Sequence, residues 1–186
     1  KIAESDGSSL NDLSLDLDMP MPTLHRLLLT LESHGFVRQS KSDATWSIGI
    51  EAFRVGSAFP RAAKLLSIAR PILKDLSGRT GETANLGIMD LGEVIFIAQH
   101  ETHHAIRAFF RPGSRGSWHS SGIGKVIAAY IAITDQKILF EKAPLEQFTK
   151  NTIVQEKELL EEFNRIRAVG YSVDKEERFI GMRCIG

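Results

Sequence analysis

Two short leucine runs at helical spacing, separated by a proline-containing turn, constrain the fold of this 186-residue chain more than any other feature. Ser9 is a plausible helix cap, and the leucines that follow it recur at intervals of three and four: Leu10, Leu13 and Leu17. After the turn MPMP, a second set predicts one apolar helix face: Leu24, Leu27, Leu28 and Leu31. Pro22 suits a first helical position and Gly35 a helix end, so the pattern predicts two helices joined by a tight turn.

A predicted β-hairpin follows the second helix. Phe36-Val37-Arg38 and the run TWSIG favour strands, and SKSDAT between them favours a polar turn. This order is typical of a winged helix-turn-helix, which we predict over residues 1–49, with its first helix largely missing. Side chains suited to base edges and phosphates lie on the outer face of the second helix and on the hairpin: Thr23, His25, Arg26, Arg38 and Lys41. We therefore expect double-stranded DNA as a partner.

The charge balance weakens that expectation. The chain has no net charge, and its first 49 residues carry four basic and seven acidic side chains. Most of the acids precede Met19, so any basic surface is local to the second helix and the hairpin. No apolar run approaches the roughly 20 residues of a membrane helix, and the start KIAESDGSSL lacks the apolar core of a signal peptide. With a single cysteine, Cys184, the sequence favours a cytoplasmic protein without disulfides.

The rest of the chain predicts a linker helix at 50–61 and an α+β domain at 62–186. Pro71 lies within a helical pattern, which it is expected to kink or split. TANLGIM and EVIFIAQ, separated by DLG, predict a hairpin, AIRAFF a further strand, and three later segments helices: 124–133, 135–140 and 155–169. Strands and helices mixed without strict alternation favour an antiparallel sheet. Before the first of these helices, Ser121-Gly122-Ile123-Gly124 forms a turn whose free amides could attract an anion.

One motif suggests a zinc hydrolase. His100, Glu101 and His104 match the pattern HExxH, which holds zinc only when both histidines share one turn of a helix. Here the motif follows the strand-like run VIFIAQ, and on a strand its histidines would lie about 13 Å apart. We expect neither a metal nor catalysis there, and we keep the hydrolase as an alternative that a helix at 97–105 would support.

Four blocks in order make the chain resemble the IclR family of bacterial transcription regulators: SLNDLSLDLDMPMPTLHRLLLTLESHGFV, ETANLGIMDLGEVIFIAQ, RPGSRGSWHSSGIGKVIAAY and RAVGYSVDKEERFIGMRCIG. The resemblance implies a winged helix, a linker helix and a GAF-like effector domain, assembled as homodimers or homotetramers, without enzyme activity or cofactor. Carried over by position, it implies four effector-binding residues: Gly122, Ile123, Asp174 and Cys184. Family members also have a helix before Lys1, strands and a helix after Ile185, and a serine near Pro22.

Within this family, the sequence as a whole most resembles members that control glyoxylate and allantoin metabolism. This implies a repressor that responds to a small organic acid, with glyoxylate or pyruvate first and an aromatic acid second. A different interpretation is a GAF-like sensor whose winged helix contacts a protein partner, which the acidic first 49 residues favour.

Overall fold

The computed structural model describes residues 1–5, 7–58, 60–102 and 110–186, with backbone only for 60–63. Its contacts divide the chain into two compact units, Lys1–Leu65 and Leu66–Gly186. In the described part, no helix is long and apolar enough to cross a membrane. The elements, in chain order, are α1 Leu10–Asp16, α2 Met21–Ser33, β1 Val37–Gln39, β2 Trp46–Ile48, α3 Ile50–Ser57, α4 Pro60–Thr80, β3 Ala84–Asp90, β4 Glu93–His100, β5 Arg115–Ser117, α5 Gly122–Tyr130, α6 Ile133–Lys142, α7 Glu156–Val169, β6 Val173–Lys175 and β7 Arg183–Ile185.

The first unit has the predicted order of helix, turn, helix and hairpin. Ser9 caps α1, because its Oγ accepts the backbone N–H of Asp12 at 3.1 Å. Pro20 precedes α2, so Pro22 is its second residue, and Gly35 follows its end with φ 75°. Strands β1 and β2 pair antiparallel, and Ser8 adds a bridge to Trp46.

The core of the first unit uses only part of the predicted leucine faces. Its buried residues come from both helices and both strands: Leu13, Leu24, Leu28, Val37 and Trp46. Leu17, Leu27 and Leu31 are exposed by 42–48%, so their predicted place on the buried face is wrong. Leu17 is the residue that follows the last residue of α1, where the helix ends. In α2, apolar residues occupy most of the circumference, so the spacing alone could not select the buried face.

The second unit is built on a three-stranded antiparallel sheet with the order β3-β4-β5, which together with the helices confirms the predicted α+β class. Leu91 and Gly92 both have positive φ in the β3–β4 turn, as a two-residue hairpin requires. Helices α5 and α7 pack together beside the sheet. Leu159, Phe163 and Ile166 are fully buried on one face of α7, which ends at Gly170 in the left-handed conformation.

Three predictions on the connecting segments have different outcomes. Helix α4 continues from Pro60 to Thr80 through Pro71, so the predicted splitting of this helix is wrong. The linker helix begins at Ile50 as predicted, and α3 ends at Ser57. Most of the strand predicted at AIRAFF lies outside the described residues. Near the end of the chain, β6 and β7 form a separate two-stranded antiparallel sheet.

Candidate functional sites

The outer face of α2 presents the predicted DNA-contacting side chains unequally. Thr23 and Arg26 are exposed, whereas His25 is half-buried and its ring lies edge-on to that of Trp46, with 6.4 Å between centroids. His25 therefore contributes to packing on one side and to the surface on the other. Thr30 donates its hydroxyl hydrogen to the Arg26 carbonyl at 3.0 Å, a bond within the helix. Arg26 is exposed and is the one arginine or lysine of α2, and its guanidinium group is able to contact both bases and phosphates.

The hairpin carries the other two predicted cations. Arg38 lies in β1 and Lys41 in the following turn, and both side chains are exposed. The same turn contains Asp43, which accepts hydrogen bonds from the Thr45 hydroxyl at 2.9 Å and from its N–H at 3.3 Å. Hydrogen bonds from Ser40 and Thr45 lower the pKa of Asp43, so the same turn that carries Lys41 also carries a carboxylate. The basic character of the hairpin is thereby reduced.

Three of the predicted effector residues meet where α5 begins against the β6–β7 hairpin. Asp174 and Cys184 are direct partners in the antiparallel pair. Ser172, just before β6, donates its hydroxyl hydrogen to the Gly122 carbonyl at 2.5 Å. The fourth residue, Ile123, packs toward the sheet, since a Cβ placed on Gly87 would lie 3.1 Å from its Cγ2. The structure thus brings Gly122, Asp174 and Cys184 together and uses Ile123 partly as core.

Close packing accounts for the glycines of the Ser121–Gly124 turn. A Cβ on Gly122 would lie 3.0 Å from the Gly186 nitrogen and 3.5 Å from the Cys184 carbonyl oxygen. A Cβ on Gly124 would collide with the backbone of Trp118. The Gly124 amide donates to the Ser121 hydroxyl at 3.0 Å. Each of these glycines therefore admits a neighbouring strand or loop.

The polar groups of this junction have altered acidities. The Asp174 side chain is buried, and its Oδ1 accepts the backbone N–H of Glu177 at 2.8 Å. Burial raises the pKa of Asp174, and the charge of Glu177 raises it further. Burial together with Asp174 raises the pKa of the Cys184 thiol to about 11. The Cys184 thiol is therefore neutral at pH 7 and can donate a hydrogen bond, whereas Asp174 Oδ1 acts as an acceptor.

An ion pair lies buried beside the same junction. The Lys125 ammonium group donates to Glu177 Oε1 at 2.5 Å and to the Val173 carbonyl at 2.8 Å. Both charged side chains are at most 5% exposed. Glu177 Oε2 is buried without a hydrogen-bond partner among the described residues.

Two cavities open elsewhere on the second unit. One of about 290 Å³ is lined by Leu91, Gly92, Glu93, Ser117, Trp118, His119, Lys142, Ala143, Pro144, Glu146 and Phe148. The other, of about 470 Å³, is lined by Leu66, Arg70, Leu73, Lys74, Ile97, Ala98, Gln99, His100 and Pro112. In the first, both nitrogens of buried His119 have partners, the Ser117 hydroxyl at 2.7 Å and the Glu146 carbonyl at 2.9 Å. Burial lowers the pKa of His119, which is consistent with a neutral packing residue.

The HExxH motif does not begin on a helix. His100 is the last residue of strand β4, and Glu101 and Thr102 follow without regular structure. His103 and His104 lie outside the described residues. Within the described ranges, no group of three or more histidine, cysteine or acidic side chains could hold a metal ion. The zinc-hydrolase alternative required a helix from residue 97, and a strand occupies residues 97–100 instead.

Family models match both units. The model for the IclR helix-turn-helix domain matches residues 2–41, and the model for the C-terminal part of the bacterial transcriptional regulator IclR matches residues 60–186. The chain belongs to the IclR family of bacterial transcriptional regulators. The family resemblance inferred from the four sequence blocks is confirmed. This is a family of regulators and not of enzymes.

Individual relatives agree with the family models. The IclR-family chain is 46% identical over 184 residues to the HTH-type transcriptional regulator BhcR of Paracoccus denitrificans, covering 99% of this chain and 66% of BhcR. It is 38% identical to the transcriptional repressor IclR of Escherichia coli, covering 99% of this chain and 68% of that one. The chain thus spans about two thirds of the length of these relatives.

A solved structure supports the fold alone. An IclR homologue from Microbacterium hydrocarbonoxydans, in complex with 4-hydroxybenzoate, superposes with a TM-score of 0.82 at 19% identity, over 96% of this chain and 74% of that one.

Sequence reasoning missed Lys125, Glu177 and Ser172 of this IclR-family chain. The available signal was a lone lysine inside the otherwise apolar helix sequence GIGKVIAAY. A buried lysine needs an acidic partner, but that partner lies 52 residues further along the chain. The sequence alone does not indicate which of the acidic residues in VDKEE it is.

Proposed function

We propose that this protein is a ligand-responsive transcription regulator that binds double-stranded operator DNA through α2 and the β1–β2 hairpin as its wing. The observation that carries this proposal is the exposed face of α2 with Thr23 and Arg26, in the segment that matches the family's helix-turn-helix model. A recognition helix of this kind reads base edges with its first turns, and a hairpin beside it can hold phosphates. His25, Arg38 and Lys41 are the remaining proposed contacts.

Arg26→Ala tests the DNA-binding proposal. Loss of one guanidinium contact is expected to weaken operator binding by about 1–3 kcal/mol, which is roughly tenfold or more. The measurement is a mobility-shift titration with DNA from upstream of the protein's own operon. Arg79→Ala removes an exposed arginine on α4 and serves as the matched control. If Arg26→Ala binds the fragment as tightly as the unchanged protein, the recognition-helix assignment is wrong.

The same titration separates the regulator from the second interpretation. A winged helix that contacts a protein partner would leave the upstream DNA unshifted at physiological salt, or shift every sequence equally. The acidic character of the first 49 residues favours that interpretation, whereas the match to the helix-turn-helix model favours DNA. Discrimination between the upstream fragment and an unrelated one therefore decides between them.

The proposed effector is a small organic acid bound by Gly122, Ile123, Asp174 and Cys184. Support comes from the junction of α5 with β6 and β7, where Asp174 and Cys184 are cross-strand partners. The neutral Cys184 thiol can donate a hydrogen bond to a carboxylate or an oxo group, and Asp174 supplies a buried carboxyl group beside it. We place glyoxylate or pyruvate first. An aromatic acid is second, and the bound 4-hydroxybenzoate of the Microbacterium homologue is an example of that class.

Calorimetry with glyoxylate, pyruvate and 4-hydroxybenzoate tests the effector class. Heat with either oxoacid that disappears in Asp174→Asn supports the first choice. Heat only with 4-hydroxybenzoate transfers the proposal to aromatic acids.

We further propose a cytoplasmic repressor that acts as a homodimer or homotetramer. The name of the Escherichia coli relative, a transcriptional repressor, supports the direction of regulation. The proposed division is a winged-helix domain at 1–49, a linker helix at 50–61 and a GAF-like effector domain at 62–186. The effector would change operator affinity only by binding one arrangement of the DNA-binding units more tightly than another.

A further inference from the structure

The burial of the Lys125 ammonium group is not explained by a gain in stability. Lys125 is fully buried, and its Nζ lies 2.5 Å from Glu177 Oε1 and 3.9 Å from Glu162 Oε1. Taking two charges out of water costs several kcal/mol per ion, and an apolar pair of the same volume is often as stable or more so. A buried pair of this kind is therefore better explained by what it holds in place.

The contacts of Lys125 surround Asp174. Its ammonium group donates to the carbonyl of Val173, the residue before Asp174, and to the side chain of Glu177, three residues after it. The Glu177 backbone N–H in turn donates to Asp174 Oδ1 at 2.8 Å. Lys125 itself lies on α5, less than one turn after Gly122. One cation thus connects the helix that begins at the junction to a backbone carbonyl before Asp174 and to a side chain after it.

We propose that the buried Lys125–Glu177 ion pair positions the Asp174 carboxyl group in the effector site by tying the chain on both sides of Asp174 to helix α5. This inference depends on the proposed effector site. Lys125 and Glu177 are positioning residues, which act on an effector through Asp174. The pair would also set the charge that the effector meets, since Asp174 and Glu177 are two buried acids that share one buried base.

The charged groups around Asp174 give the sign of each expected change. Lys125 faces Asp174 from α5, Glu177 from the loop after β6 and Cys184 from β7. Arg178 acts on Asp174 through its backbone N–H, while its guanidinium group lies over the Phe148 ring. Glu162 on α7 is engaged by Arg165 through two bonds of 2.6 and 2.7 Å. The charge of Glu177 raises the pKa of Asp174, and that of Lys125 lowers it. Neutralising Glu177 therefore lowers this pKa, whereas neutralising Lys125 raises it.

Two variants of the full chain, Glu177→Gln and Lys125→Met, test the proposal. The pH titration of the Asp174 carboxyl carbon is followed by NMR, with its signal assigned through Asp174→Asn. We expect the midpoint to fall by about one pH unit in Glu177→Gln and to rise by about one in Lys125→Met. Lys125→Arg, which keeps the charge, should return the midpoint toward that of the unchanged protein. Lys137→Met, an exposed change on α6, is the control.

The outcomes of this experiment distinguish a failure of the positioning role from a failure of the proposed effector binding. A midpoint unchanged in both folded variants overturns the positioning role, and so does a shift of the same size in Lys137→Met. If Lys125→Met does not fold, the isosteric Glu177→Gln decides alone. Glyoxylate and pyruvate affinities, measured by calorimetry, should fall about tenfold in both variants. If the unchanged protein binds neither acid, the oxoacid assignment is wrong, while the Asp174 titration still decides the role of the pair.

Discussion

At the scale of single residues, the sequence predicts least about the junction of α5 with the β6–β7 hairpin, and the structure adds most there. The roles of Asp174 and Cys184 came from the family resemblance, because no spacing rule pairs two residues across a hairpin with a long irregular loop. Their register, with the two residues directly opposite each other, is visible only in the structure. The structure gives Gly122 a packing reason, because its backbone lies against Gly186 and the end of β7, and its role in effector binding stays a prediction.

Cys184 gives the protein an alkaline limit that can be measured. Its pKa is raised from 9.0 to about 11, so the folded state holds the thiol proton more tightly than the unfolded state does. The contribution of the protonated thiol to the free energy of unfolding is fully present below pH 9 and is lost as the pH rises from 9 to 11. After allowance for partial exposure, the loss should be roughly 1–2 kcal/mol.

Urea unfolding of the unchanged protein and of Cys184→Ser at pH 8, 9, 10 and 11 measures this contribution. The difference in unfolding free energy between the two proteins should shrink or reverse across that window. Lysines and tyrosines that titrate there affect both proteins and cancel in the difference. A constant difference would show that the thiol titrates alike in the folded and unfolded states.

At the scale of elements, local sequence signals were enough to predict most of the helices and the β1–β2 and β3–β4 hairpins. Ser9, Gly35 and Gly170 mark helix ends through capping chemistry that depends on neighbours in the chain. The structure departs from the sequence where tertiary contacts decide. The leucine spacing of α2 fits several faces, and only packing against Trp46 and Leu13 selects Leu24 and Leu28. Helix α4 likewise continues past Pro71, although proline removes one hydrogen bond there.

Two leucines on the same helix test this assignment of faces. Leu28 is 2% exposed and Leu27 is 48% exposed. Leu28→Ala should lower the unfolding free energy by about 2–5 kcal/mol, because it leaves a cavity in the core of the first unit. Leu27→Ala should cost about 0.5 kcal/mol or less. Denaturant titrations followed by circular dichroism compare the two, and equal losses would contradict the buried face described above.

At the scale of the whole molecule, two units carry the two proposed activities. The proposed DNA-contacting residues belong to Lys1–Leu65, and the proposed effector residues belong to Leu66–Gly186. Composition and element order were enough to predict an α+β chain with two parts, since the leucine pattern ends before the β-rich segments begin. Communication between the parts could not be predicted, because it depends on the relative affinities of alternative arrangements and not on local pattern.

Asp174→Asn tests whether the activities are separable in the full chain. The amide keeps the shape of the side chain but removes the ionisable carboxyl group that is proposed to meet the effector. We expect unchanged operator affinity without ligand, and an effect of glyoxylate or pyruvate on that affinity at least tenfold weaker than in the unchanged protein. Mobility-shift titrations with and without each acid make the comparison. If Asp174→Asn loses operator binding without ligand, Asp174 instead stabilises the conformation that binds DNA.

The protonated thiol of Cys184 also limits which signals the molecule can answer. Thiol oxidation and alkylation proceed through the thiolate, and a pKa of about 11 leaves only about one thiolate in ten thousand at pH 7. The protein's single cysteine is therefore a poor target for peroxide or electrophiles, although it lies among the groups proposed to meet the effector. A site built in this way would report a metabolite during oxidative stress without being chemically altered by that stress.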